Sequence, residues 1–183
     1  RRAAALTAER EAHAKPSYEI TSVTKMVKHD RSIFAVDAGG LGRAWGNAVH
    51  EALEAANRGV GCDGIRAACR TALLDNDLPL HDDGEPADLD DLETLVKRVS
   101  GSDAWQRARE AENVLVEAPF ALPIGNGDRT AIVEGVIDLA FAEDDGWVIV
   151  DYKTDVVDDA ENLEARRRQY RAQVDAYAGY FEQ

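Results

Sequence analysis

The sequence predicts an α/β domain in which helices precede a small β-sheet and one long helix follows it. Two β-rich runs, AIVEGVIDLAFA and WVIVDYKT, are joined by the turn sequence EDDG, which predicts a β-hairpin. Upstream of the hairpin, apolar residues recur at the spacing of a helix face. Downstream of it, an apolar stripe predicts a closing helix over 157–181.

The 183 residues suffice for one domain with its own core. Residues 1–19 begin with an Ala-rich, helix-prone stretch and are predicted to connect from a preceding domain. Residues 20–183 are predicted to form a single domain. Because the first residue is Arg1 rather than Met, we expect the chain to be part of a longer polypeptide.

Helices dominate the predicted N-terminal half. The first, over 43–58, buries one face that consists of Trp45, Val49, Ala52, Leu53, Ala56 and Val60. The acidic, turn-rich residues 75–91 are predicted to be a surface loop. Further helices are predicted over 64–74, 88–99 and 103–112.

The sheet and the closing helix make up the predicted C-terminal half. A strand pattern begins with VLVEAPFAL, and the two runs of the hairpin follow it. The apolar stripe of the closing helix consists of Leu163, Tyr170, Val174, Tyr177, Ala178 and Phe181.

The formal net charge of −14 is unevenly distributed. Residues 71–159 hold 23 acidic and 6 basic residues, a net charge of −17, and the rest of the chain is net positive. Overall acidity argues against a nucleic-acid partner, but a carboxylate site for divalent metal also looks acidic without its ions. The one dense basic patch is RRRQYR, which contains Arg166, Arg167, Arg168 and Arg171 and is either a solvated helix face or a phosphate contact.

Membrane association and disulfide bonding are not expected. No apolar run approaches the ~20 residues that a membrane helix needs. Cys62 and Cys69 do not make a disulfide framework, which predicts a reducing compartment, the cytoplasm. No G-x-x-x-x-G-K-[ST] segment is present, so an ATP-driven motor would have to lie elsewhere in the polypeptide or complex.

The stretch VIVDYKTD ends a buried-looking strand with charged residues. If the hairpin turn centres on Asp144 and Asp145, Asp138 lies opposite Asp151, and strand alternation puts Lys153 on the same face. Adjacent carboxylates repel unless a cation lies between them, and oxygen ligands suit Mg²⁺ or Mn²⁺. With an ammonium group beside them, they suit hydrolysis of a phosphodiester. The alternative reading is a solvated surface pair, the commoner origin of charged strand ends.

Three ordered motifs resemble one family. EGVIDLAFAEDDGWVIVDYKTD looks like the core motif of the PD-(D/E)XK nucleases, in the version carried by RecB-like and AddA-like helicase–nucleases. WGNAVHEALE resembles the upstream helix of that group, and QVDAY resembles its downstream Q-x-x-x-Y signature. The resemblance spans roughly residues 20–180 and implies a restriction-endonuclease-like core with a small mixed sheet flanked by helices.

The resemblance also implies roles for individual residues. The metal ligands would be His50, Asp138, Asp151 and the backbone carbonyl of Tyr152, and the metal Mg²⁺ or Mn²⁺. Lys153 would orient or activate the attacking water, and Gln173 and Tyr177 would flank the site from the closing helix. Glu117 would touch the site from its edge. Read from the residues alone, His50 is instead a satisfied, partly buried histidine or one paired with Glu54 a turn later, and Tyr177 is explained by packing.

The resemblance implies an Mg²⁺- or Mn²⁺-dependent deoxyribonuclease of the exonuclease type. It would act on single strands or duplex ends fed by a helicase in the same chain or complex, in DNA end processing and recombinational repair. The alternative is a catalytically inactive module that binds DNA or a protein. Some relatives hold an iron–sulfur cluster with four cysteines, and the cysteine positions here predict that this cluster is absent.

Overall fold

The computed structural model describes residues 18–22, 42–126, 129–154 and 159–181. Most of the connection predicted over 1–19 lies outside these ranges, so that this connection and the single domain predicted over 20–183 stay predictions. The elements are, in chain order, β1 (Tyr18–Ser22), α1 (Gly42–Asn57), α2 (Cys62–Asp75), α3 (Leu89–Ser100), α4 (Asp103–Glu110), β2 (Val114–Asn126), β3 (Arg129–Glu143), β4 (Gly146–Val150) and α5 (Ala160–Phe181).

The predicted helices are confirmed to within a few residues at their ends. The buried face of α1 consists of Ala48, Val49, Ala52, Leu53 and Ala56. Val60, predicted on this face, lies beyond the end of α1 and is 38% exposed, so that part of the prediction is wrong. Leu163, predicted in the stripe of α5, is also exposed. Both positions fit a helical period, but none of the elements that the structure describes covers them.

The four strands form one mixed sheet with β3 at its centre, which confirms the small mixed sheet that the resemblance implies. β2 pairs antiparallel along almost the whole length of β3. The other edge of β3 is shared: β1 pairs with it in parallel over Thr130–Glu134, and β4 antiparallel over Leu139–Glu143. Among the described strands, residues 135–138 therefore have no partner on this edge. This stretch is called the edge gap below.

The hairpin register confirms the sequence prediction. Leu139 pairs with Val150, Ala140 with Ile149 and Glu143 with Gly146. The continuation of this ladder puts Asp138 beside Asp151, the first residue after β4. Register was predictable because a short turn between two strands leaves few alternative pairings.

The core joins the helical half to the hairpin. Trp105 of α4 and Phe141 of β3 are the largest fully buried side chains, and both belong to this cluster. Leu139 of β3 packs there too, with Val148 and Val150 of β4 against its border. The helices are thereby held against the half of the sheet that contains β4, next to the edge gap. No helix in the described part of the chain has the length and apolarity to span a membrane.

Gly135 leaves space at the start of the edge gap. A methyl group there would lie 2.6 Å from Phe120 Cε1 and Cζ and 3.5 Å from Tyr177 Cε1. The Phe120 and Tyr177 rings meet edge to face, with centroids 5.6 Å apart. We expect Gly135→Ala to lower the free energy of unfolding by about 1–3 kcal/mol, because the methyl must displace a packed ring. Urea denaturation measures this.

Gly179 is the matched control. Its added methyl would have no atom within 4 Å, and Gly179 is exposed on α5. We expect Gly179→Ala to raise the free energy of unfolding by roughly 0.5–1 kcal/mol, because alanine loses less backbone entropy than glycine on entering a helix. A Gly135→Ala variant as stable as Gly179→Ala would refute the packing argument.

Candidate active site

Three side chains from three elements converge at the edge gap. They are His50 of α1, Glu117 of β2 and Asp138 of β3, and one nitrogen or oxygen atom of each lies within 4.8 Å of the other two. His50 Nδ1 is 3.3 Å from Glu117 Oε1 and 3.5 Å from Asp138 Oδ1. Asp138 is one of few buried charged residues, at 7% exposure. These three residues are called the acidic cluster below.

The packing of α1 aims His50 at the cluster. Val49 and Leu53 are fully buried in the core, so the face that contains them is turned towards the sheet. His50 follows Val49 and is only half-buried, at the border of that face. The sequence signal for His50 is therefore its place beside an apolar stripe, and the structure adds the two carboxylates that it meets.

Glu117 has an unusual backbone conformation. Its φ is +45°, a left-handed value that non-glycine side chains rarely adopt. Val116 pairs with Leu139 and Ala118 with Ile137, so Glu117 lies opposite Asp138 although it forms no ladder pair itself. Such conformations cost about 1–3 kcal/mol and concentrate at functional sites. Sequence reasoning had no signal for this strain.

Asp138 also holds the segment that follows β4. The backbone N–H of Tyr152 donates a hydrogen bond of 2.5 Å to Asp138 Oδ2. The ring of Tyr152 meets that of His50 edge to face, with centroids 5.9 Å apart. Its hydroxyl accepts a hydrogen bond of 2.9 Å from Trp105 Nε1. Tyr152 therefore fixes the chain between Asp151 and Lys153. The predicted ligand role of its carbonyl stays a prediction.

Asp151 and Lys153 form an ion pair between Oδ2 and Nζ. The Asp151 side chain is only 7% exposed, and Oδ2 has no partner of hydrogen-bond geometry in the described part of the chain. Burial raises the pKa of the Asp151 carboxyl; the charge of Asp138 adds to this, and Lys153 opposes it. The one lysine contact therefore does not compensate fully for the buried negative charge.

The carboxylates around His50 change its protonation. Hydrogen bonding to Asp138, then to Glu117, raises the pKa of His50 to about 10, against the effect of burial. An imidazole with this pKa is charged at pH 7, so it serves as the cation of the acidic cluster when no other cation is present. A metal ion that binds His50 must displace this proton.

The donor set fits a divalent cation. His50, Glu117 and Asp138 offer one imidazole nitrogen and two carboxylates within a single ion's reach, and Asp151 offers a buried, undercompensated oxygen beside them. Carboxylate oxygens are the ligands that Mg²⁺ and Mn²⁺ prefer. Glu117, which the sequence predicts only as an edge contact, belongs to the compact cluster.

The closing helix α5 approaches the same place. Gln173 Nε2 donates a hydrogen bond of 2.8 Å to Tyr177 Oη. Tyr177 is 5% exposed, and its pKa is raised by burial first and then by the charges of Asp151 and Asp138. The ring of Tyr170 lies 5.2 Å from Lys153 Nζ. Sequence reasoning assigns Tyr170 to the apolar stripe and misses its contact with the lysine.

The four arginines of α5 do not share one face. Arg166 precedes Tyr170 by four residues and Gln173 by seven, so it lies on the face that meets the site. Arg166 is partly buried, whereas Arg167, Arg168 and Arg171 are exposed. Of the predicted DNA contacts, only Arg166 lies on the site-facing side of α5. The predicted role of all four stays a prediction.

A set of variants at Glu117 separates strain from charge. Glu117→Gly and Glu117→Ala both remove the carboxylate, but only glycine is relaxed at positive φ. We expect the glycine variant to be more stable than the alanine variant by about 1 kcal/mol in thermal unfolding. Both, together with Glu117→Gln, should bind Mn²⁺ more weakly in calorimetry, about tenfold or more. Equal stability of the two variants would show that the strain is absent.

Comparisons with known proteins place this chain in a family. Residues 15–183 match the model of the PD-(D/E)XK nuclease superfamily. The chain is 32% identical over 158 residues, 81% of its length, to an ATP-dependent helicase/nuclease subunit of Desulforudis audaxviator, of which this covers 13%. It is 32% identical over 124 residues to the protein of the same name from Carboxydothermus hydrogenoformans, covering 63% of this chain and 10% of that protein. It is 37% identical over 98 residues to the protein of that name from Heliobacterium modesticaldum, and the match covers 46% of this chain and 7% of that protein.

The chain thus spans roughly a tenth of the length of these curated relatives. The match to the family model covers both the hairpin and the helix that contains His50. It agrees with the mixed sheet and its flanking helices. The chain belongs to the PD-(D/E)XK nuclease superfamily.

Proposed function

We propose that the chain is an Mg²⁺- or Mn²⁺-dependent deoxyribonuclease that hydrolyses phosphodiester bonds. The observation that supports this most directly is the acidic cluster of His50, Glu117 and Asp138 beside the Asp151–Lys153 ion pair. Three carboxylates this close repel one another unless cations lie between them, which favours a metal ion beside the histidine and the lysine.

Each residue of the site has a separate role in the proposed reaction. His50, Glu117, Asp138 and Asp151 would hold the ion, and the carbonyl of Tyr152 would be a further ligand. When bound, the ion supplies Lewis-acid stabilisation of the charge that develops on the phosphate. Lys153 donates a hydrogen bond from Nζ to the attacking water or to a phosphate oxygen. Gln173 and Tyr177 orient groups at the α5 side, and Arg166 is the first candidate among the arginines for a phosphate contact.

The names of the relatives support a proposal for the biological setting. Proteins named as ATP-dependent helicase/nuclease subunits contain a region similar to this chain. We therefore infer that the chain is the nuclease module of such a helicase–nuclease, in the same polypeptide or complex, and that it acts on DNA ends in recombinational repair. The cytoplasm suits the buried free thiol of Cys69, whose pKa burial raises to about 11.

The test is cleavage of labelled DNA with and without metal. We expect the chain to degrade linear single-stranded DNA in Mg²⁺ or Mn²⁺ and to be inactive in excess chelator, because its carboxylates hold the required ion. Circular single-stranded DNA of the same sequence is the matched control and should survive if the enzyme requires an end. Cleavage that persists in chelator would reject the metal mechanism. A chain that binds DNA yet leaves it intact in both metals would be the inactive binding module.

A further inference from the structure

A cleft of about 620 Å³ lies beside the candidate active site, between α1, α3 and the segment after β4. Its volume is within the range of about 300–1,000 Å³ that is common for ligand sites. Trp45, Val49 and Leu53 of α1 form one wall, and Thr94 and Arg98 belong to the opposite wall on α3. Four-residue spacing puts the members of each wall on one helix face.

The cleft is continuous with the proposed catalytic residues. Asp151 and Lys153 line it, and so does Thr154. A methyl group added at Gly46 would lie 3.4 Å from Thr154 Oγ1, so α1 approaches the segment after β4 closely. A molecule bound in the cleft would therefore touch the residues that act on the scissile phosphate.

The lining combines an apolar wall with cations. Trp45 is half-buried and offers the accessible aromatic surface of this wall, whereas Val49 and Leu53 beside it are only 2% and 1% exposed and form its base. Arg98 provides positive charge and has no ion-pair partner within 4.0 Å in the part of the chain that the structure describes, whereas Lys153 is paired with Asp151, which also lines the cleft. Asp91 lines the cleft too, two helical turns or about 10 Å from Arg98 along α3, so an anion is favoured near Arg98.

A nucleotide matches this arrangement, because it joins a flat, largely apolar base to an anionic phosphate. We propose that the cleft binds one nucleotide of a single strand next to the scissile phosphate, with its base stacked on Trp45 and a phosphate held by Arg98. This inference rests on the proposed nuclease function. A paired base in a duplex cannot enter the cleft without leaving the stack, so the cleft selects single-stranded substrate.

The experiment measures binding in chelator, where cleavage does not interfere. Fluorescence anisotropy of a labelled oligo-dT compares the intact strand with strands that contain one abasic residue at successive positions. We expect one position at which loss of the base weakens wild-type binding about tenfold, because stacking on an aromatic side chain has that magnitude. Trp45→Leu should abolish this difference, and Trp45→Phe should restore much of it.

Two control variants match the tested changes. Trp147→Leu removes an exposed tryptophan that does not line the cleft. This variant should still bind the intact strand more tightly than the abasic strand. Arg98→Gln should weaken binding and reduce the slope of log affinity against log salt by about 0.7, the value for one phosphate of a single strand. Arg109→Gln removes the same charge outside the cleft and should leave the slope unchanged.

The outcomes separate this proposal from the nuclease proposal. The cleft proposal is overturned if Trp45→Leu shows the same difference in affinity between the intact and the abasic strand as wild type. It is also overturned if the wild-type chain does not bind the strand, even if DNA is cleaved. Loss of discrimination in Trp45→Leu supports the cleft even if the chain fails to cleave in either metal. A duplex bound as tightly as the single strand also contradicts the cleft proposal.

Discussion

Asp151→Ala is expected to abolish metal-dependent cleavage, with a rate loss of about a thousandfold or more. The carboxylate is buried beside Asp138, and its ion pair with Lys153 does not offset the burial that raises its pKa, so we expect a metal ion to stabilise its charge. Steady-state cleavage of linear single-stranded DNA in Mn²⁺ measures the loss. Asp103→Ala, which removes an exposed carboxylate paired with Arg107, is the control and should retain activity.

Lys153→Ala is expected to lower the cleavage rate by a comparable factor but still to bind the metal ion. The Lys153 ammonium is not a ligand, so calorimetry should still detect Mn²⁺ binding, whereas Asp151→Ala should bind it weakly. Lys97→Ala is the matched control, because Lys97 pairs with Glu93 on α3 and does not line the cleft that contains Lys153. Cleavage that survives both Asp151→Ala and Lys153→Ala would reject the mechanism.

The melting temperature of an Asp151 variant in chelator shows whether its inactivity comes from a missing metal ligand or from misfolding. The pKa of Asp151 is raised in the folded state, which means that folding favours its neutral form. A carboxyl of this kind destabilises the fold once the pH exceeds its ordinary pKa, so the penalty is present at pH 7. Asp151→Asn should therefore melt at a higher temperature than wild type in chelator while it is inactive in metal. A lower melting temperature would attribute its inactivity to misfolding.

Trp105→Ala is expected to cost about 3–5 kcal/mol of the free energy of unfolding. Trp105 is 1% exposed and is the largest fully buried side chain, so its removal leaves a cavity among α1, α4 and the hairpin. Urea denaturation should show a lower midpoint with an unchanged slope. Trp147→Ala, on an exposed tryptophan, should change stability far less, by about 0.5 kcal/mol. A loss below about 1 kcal/mol at Trp105 would contradict the assignment of this core.

The hydrogen bond from Trp105 to Tyr152 can be tested apart from the packing. Trp105→Phe keeps most of the ring volume and removes only the indole N–H. A double-mutant cycle with Tyr152→Phe should give a coupling of about 1 kcal/mol. Because Tyr152 lies between Asp151 and Lys153, we also expect Trp105→Phe to slow cleavage. A slower rate with an intact fold would identify Trp105 as a positioning residue.

Much of the local structure was readable from the chain. Apolar spacing located the helices, and the EDDG turn located the hairpin together with its register. The pairing of Leu139 with Val150 follows from that turn, so the neighbouring positions of Asp138 and Asp151 were predictable. A hairpin is determined by residues close in sequence, and its alternatives put apolar side chains into water.

The strand β1 was not predicted. Its residues YEITS alternate in character, but five residues give a weak signal, and the sequence assigns the segment to a connection and the start of the domain. It becomes a strand by pairing in parallel with Thr130–Glu134, more than a hundred residues later. Parallel pairing needs a long crossover and leaves no turn sequence to recognise. The edge gap between β1 and β4 was therefore not predictable from the sequence either.

The sequence by itself determined the local elements, the hairpin register and the types of charged residue at its end. Only the tertiary structure decided that His50 and Glu117, 67 positions apart, meet at Asp138, that Glu117 adopts a left-handed backbone, and that Tyr170 lies over Lys153. Local patterns report which face of an element is buried, whereas these contacts depend on how α1 and α5 pack on the sheet. That packing is decided by the complementary shapes of buried side chains distant in sequence, which no local period records.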